Sequence, residues 1–127
     1  MQPKNGSQNR KYERLEISVK GILTIRKIQG QPVENKGNIT IHVQDVSTGG
    51  IFFQSNAQLP VSPVVLYEVV FILDERRVAF KGTIQRKTTI QMGVFGYGFS
   101  FDHDSYQDFN FFYTFMQKKI VSKKQSK

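Results

Sequence analysis

Cysteine is absent from the 127 residues, which excludes a disulfide scaffold, a cysteine-based zinc site and a thiol nucleophile. Histidine is scarce, with only His42 and His103. His42 falls on the polar phase of a strand pattern and reads as a solvated surface residue. The run Asp102-His103-Asp104 reads as the acid-rich start of a helix, so no metal site is assigned. Long apolar runs are also missing. The stretch from Pro63 to Leu73 is broken by Glu68 and falls well short of the ~20 residues of a membrane-spanning helix. The N-terminus has no apolar stretch, which reads against a signal peptide. A soluble cytoplasmic protein without membrane insertion is expected. No Walker loop, nucleophile elbow or dinucleotide glycine fingerprint is present. No catalytic residue and no cofactor are therefore assigned, and an enzyme is not expected. Acidic residues are in deficit: ten Asp and Glu stand against eighteen Lys and Arg, a net charge of +8. Such a field attracts anions, whether nucleic acid, nucleotide, acidic lipid or an acidic protein face.

What is present is a pattern of short strands. At 39% hydrophobic and 22% charged, a chain of this length can bury one core. Residues 1–9 carry no periodic apolar position and read as a flexible arm, 10–122 as the domain, and 123–127 as a basic tail. Leu15, Ile17, Val19, Leu23 and Ile25 alternate with polar residues, the period of a half-buried strand. Turn residues between Gln29 and Asn38 predict a loop. Ile39, Ile41 and Val43 predict a second strand that stops at Thr48-Gly49-Gly50, and Ile51 to Phe53 a third. Pro60 and Pro63 mark the segment from Asn56 to Pro63 as a loop. Val64 to Leu73 reads as a strand leaving through Asp74-Glu75-Arg76-Arg77. Val78, Phe80 and Ile84 alternate with polar neighbours, and so do Phe95, Tyr97, Phe99 and Phe101. Six strands with short turns predict a mainly β fold, an antiparallel six-stranded β-barrel.

The last element is helical. Tyr106, Phe109, Tyr113, Met116 and Ile120 recur at steps of three and four, with Asp104 or Ser105 placed to cap it. On this spacing they face inward. Phe111 and Phe115 then fall on the opposite, polar side, as a possible partner or dimer contact. A neighbouring loop covering them accounts for the same residues equally well.

Two clusters carry chemistry. Arg10 and Arg14 stand four apart just before the first strand; guanidinium groups suit phosphate oxygens and the N7/O6 edge of guanine. A solvated basic patch explains the same letters. Asp45-Val46-Ser47-Thr48-Gly49-Gly50 ends the second strand. Asp45 continues the inward phase of Ile39, Ile41 and Val43, where a carboxylate needs a donor or a ligand. The run also reads as a turn whose side chains bond nearby backbone.

Taken together, Arg10 and Arg14 before the first strand, then Asp45, Ser47 and Gly50 about thirty residues on, resemble the two motifs of the PilZ domain family. Six strands followed by a helix are similar to its barrel, so the resemblance runs from about Asn9 to Val121. It implies a receptor for the bacterial second messenger cyclic di-GMP that passes the signal to a protein partner. By that resemblance Arg10, Arg14, Asp45, Ser47 and Gly50 would bind the ligand, with Asn9, Lys11 and Gly49 as further contacts. Some members carry a basic residue where Asn9 stands and take up two ligands; here one or two are both open, as are monomer and homodimer. Two rival readings remain: a small basic β-barrel that binds RNA or single-stranded DNA, and a ligand-independent interaction module. Phe95, Tyr97, Phe99 and Phe101 share one phase and read as core, which leaves no stacking platform for nucleic acid.

Overall fold

A computed structural model describes residues 14–34, 37–102 and 109–125. Seven strands and one helix follow in chain order: β1 (Leu15–Ile28), β2 (Gln31–Pro32), β3 (Ile39–Ser47), β4 (Gly50–Ser55), β5 (Val65–Leu73), β6 (Arg76–Gln91), β7 (Val94–Phe101) and α1 (Phe109–Gln125). All pairings are antiparallel, and β1-β3-β4-β7-β6-β5 close into a ring through β1 and β5. This is the expected six-stranded barrel with a C-terminal helix. β1 closes it because it is long enough to pair β3 through Leu15–Leu23 and β5 through Gly21–Ile28.

The alternation read from sequence sets the core. Leu23, Ile41, Val43, Phe53, Val69, Phe71, Val78, Phe80, Tyr97 and Phe99 are all buried. Phe80 and Phe101 stack at 4.4 Å between ring centres, and Phe112 of α1 meets both edge-on, at 5.0 and 5.5 Å. Burying a side chain of that size contributes about 1.5–3 kcal/mol, and edge-to-face pairs add to it. At Asn56–Pro63 the chain is held by phenols. The Tyr97 hydroxyl donates to the Ala57 carbonyl and accepts from the Leu59 N–H, while Tyr67 donates to the Pro60 carbonyl at 2.9 Å. Burial, then the neighbouring Tyr97, pushes the Tyr67 phenol up to about 12. Burial also raises Tyr97.

Four expectations are corrected. The Gln29–Asn38 loop contains a short hairpin: Gln29 and Gly30 turn with φ of 51° and 80°, and β2 pairs back on β1. The turn after β5 is only Asp74-Glu75, both at positive φ, so Arg76 and Arg77 already belong to β6. β6 continues to Gln91, well past the alternation that stops at Ile84. Its last residues are exposed on both faces and so carry no alternation; pairing with β7 holds them extended. The fourth concerns α1. Phe112, Phe115 and Met116 are buried, Phe111 is half-buried against the core, and Tyr113 is 46% exposed. Phe115 is therefore not exposed on a polar side; it stacks with Phe111 at 6.4 Å between ring centres, and the two line a pocket with Thr114, Lys118 and Lys119. Apolar residues occur all around this helix, so spacing does not select a face; the Phe80 and Phe101 rings do. Tyr106, Asp104 and Ser105 lie outside the described residues.

Candidate functional site

Arg14 immediately precedes β1, and the pairing of Leu15 with Val46 and of Glu16 with Asp45 carries it to the end of β3. There its Nη1 lies 2.6 Å from Asp45 Oδ1, a charge-assisted hydrogen bond. Asp45 does not continue the inward phase. The β3–β4 register shifts between Val43 and Asp45, so Val46 is the next buried residue and Asp45 turns to the surface with 23% of its side chain exposed. A bulge of this kind lets a carboxylate sit in a core strand without facing the core.

Beyond it the chain reverses tightly, Ser47 pairing with Gly50. The buried Ser47 hydroxyl accepts from the Gly49 N–H at 3.2 Å and donates to the Gly50 carbonyl at 3.3 Å. Gly50 has no room for a side chain, since a Cβ there would stand 1.9 Å from the Phe99 carbonyl oxygen on β7. The turn is thus built by these residues themselves, and Arg14 reaches its side from the start of β1.

A pocket of about 210 Å³ opens beside the turn, lined by Arg14, Ser47 and Gly50 on one side and by Gln85, Arg86 and Ser100 on the other. The second group was not anticipated from sequence. Arg86 occupies what would be the inward phase after Val78, Phe80 and Ile84, but the β6–β7 register shifts between Ile84 and Arg86. Its guanidinium lies across Gly98, where a Cβ would come within 3.1 Å, and 5.9 Å from the Phe52 ring centre. A cation at a core phase position was the available signal, the same as the carboxylate at Asp45. Two arginines thus line one pocket beside the turn, an arrangement suited to a phosphorylated ligand.

Of the expected site residues, the structure brings together Arg14, Asp45, Ser47, Gly49 and Gly50. Asn9, Arg10 and Lys11 lie outside the described residues. A larger groove of about 650 Å³ runs past Lys20, Thr40, His42 and Gln54, but offers an anion only one lysine and a histidine already 2.7 Å from Ser18 Oγ. No cluster of metal-ligating side chains occurs among the described residues, and no described helix is long and apolar enough to cross a membrane.

No curated protein matches the chain. The family model of the PilZ domain matches residues 8–112, a span that includes both motifs, the whole ring of strands and the first turn of α1. With that match over nearly the full length, the chain belongs to the PilZ domain family, a family of cyclic di-GMP receptors.

Proposed function

We propose that this chain is itself a cyclic di-GMP receptor without catalytic activity, acting in the cytoplasm as an adaptor for a protein partner. The observation that carries the reading is the convergence of Arg14, the Ser47–Gly50 turn and Arg86 on one pocket, with Asp45 held at 2.6 Å from Arg14. In the free protein Arg14 and Asp45 satisfy one another. A phosphodiester would draw Arg14 away, and the released Asp45 would accept from guanine N1 and N2, which adenine cannot match. Arg10, four residues before Arg14, would supply the second guanidinium of its motif, and Asn9 and Lys11 flank it. The pocket is smaller than the ~300–1,000 Å³ of a site that encloses a small molecule. The ligand would accordingly lie on an open surface, with Arg10 as a further contact. Two or three charge-assisted bonds at about 1.5–3 kcal/mol each support an affinity near micromolar, about −8 kcal/mol.

The signal would be the ordering of the arm over the barrel as two phosphates neutralise the clustered Arg10, Lys11 and Arg14. Calorimetry with cyclic di-GMP beside GTP, cyclic GMP and cyclic di-AMP tests the receptor reading: cyclic di-GMP alone should bind. Equal affinity for cyclic di-AMP would show that only phosphates are recognised. No response to any of them, with steeply salt-dependent binding of polynucleotide, would favour nucleic acid instead. Amide exchange tests the relay, which requires added protection at Arg10–Arg14 and Asp45–Gly50.

A further inference from the structure

We propose that the open edge of β6, from Thr83 to Gln91, is the surface on which a partner docks, by adding an extended acidic segment as a further strand. This deepens the adaptor reading above by naming where the partner sits and what chemistry it carries. β5 pairs with β6 only from Arg76 to Gly82, and beyond that point β7 is the sole strand beside β6 among the described residues. An antiparallel neighbour on one side leaves alternate N–H and C=O groups of the strand directed to the other, which is a template for strand addition. Gln85 to Gly93 are exposed without interruption. Thr88, Thr89 and Ile90 are β-branched and suited to pairing.

Charge selects the occupant. No acidic residue lies between Arg76 and Phe101. Arg86 lies on one face of the hairpin, against Phe52 and Gly98. Lys87 lies on the other, its Nζ 4.6 Å from the Phe95 ring centre and 3.4 Å from Gln58 Oε1. Both cations are folded back over β7 and its neighbours, so they do not block the edge. A strand laid beside β6 would lie in the field of one cation on each face, which favours carboxylates there. A second copy fits less well. Antiparallel self-pairing about Thr88 would set the two Lys87 side chains diagonally opposite, about 7–8 Å apart. Ile90, 44% exposed, and Met92, 97% exposed, add apolar contact toward the tip. Arg86 belongs both to this hairpin and to the nucleotide pocket, which places the edge next to the ligand.

The test uses the full chain and an eight-residue peptide of sequence Val-Glu-Glu-Val-Val-Glu-Glu-Val, whose glutamates fall on both faces of a strand, with the lysine-for-glutamate peptide as control. Amide exchange followed by NMR should show added protection confined to alternate residues of Thr83–Gln91, with the acidic peptide bound at least tenfold tighter than the basic one. Lys87→Glu should weaken the acidic peptide about tenfold and leave both the thermal midpoint and cyclic di-GMP affinity unchanged. Equal affinity for the two peptides, or binding without protection on β6, would overturn the inference. Concentration-dependent dimers whose Thr83–Gln91 amides are protected without any peptide would overturn it in favour of self-pairing. Loss of peptide protection with nucleotide binding intact removes this inference alone; absence of nucleotide binding removes the receptor reading and leaves the edge result standing.

Discussion

Arg14→Ala removes the guanidinium that lies 2.6 Å from Asp45, and its cost can be divided between folding and binding. The pair is partly open to water, with 32% and 23% of the two side chains exposed. Solvent screening holds such pairs to about 1 kcal/mol or less. For a chain of this size that is a fall of about 4 °C in the thermal midpoint. Binding should lose more. A guanidinium held against a phosphate is worth about 1.5–3 kcal/mol, so affinity for cyclic di-GMP should drop at least tenfold, or about 1.4 kcal/mol. A double-mutant cycle with Asp45→Ala isolates the coupling. Urea denaturation of the free protein should give a coupling near 1 kcal/mol. The same cycle at saturating ligand should give a smaller value if the ligand has taken Arg14 from Asp45. A free-protein coupling of about 3 kcal/mol or more, with less than threefold loss of affinity, would refute the reasoning and make the pair a structural fastener.

Gly50→Ala should lower stability by about 3 kcal/mol, at the upper end of overpacking costs, because the new Cβ would stand 1.9 Å from the Phe99 carbonyl oxygen and force β4 from β7; urea denaturation reads it. Arg86→Ala should weaken cyclic di-GMP severalfold while the thermal midpoint moves by less than about 2 °C, since an exposed side chain away from the core contributes little to folding; calorimetry and thermal scanning together check this. The pH dependence follows from Tyr67, whose folded pKa is raised by burial from 10 to about 12. Its share of stability is whole below pH 10 and is lost as pH rises from 10 toward 12, because the unfolded chain gives up the proton first. Tyr67→Phe should make the decline measured by urea denaturation across that window shallower.

The period-two alternation determined the strands and the core of this protein. Each of Leu23, Ile41, Phe80 and Tyr97 was assigned inward from its neighbours alone, because burial on one face of a pleated strand leaves a local signature. The two short motifs were equally legible, and so was the existence of α1. Four matters were settled only in three dimensions. Bulges after Val43 and Ile84 turned Asp45 and Arg86 out of the core phase, and a register shift depends on the partner strand, which no local pattern contains. The second half of β6 is extended because β7 lies beside it; its own residues are exposed on both faces and leave no period to read. The inward face of α1 was set by Phe80 and Phe101 receiving Phe112, contacts between residues far apart in the chain. The pocket itself joins Arg14, the β3–β4 turn, β6 and β7, four segments that meet only because the ring of strands closes.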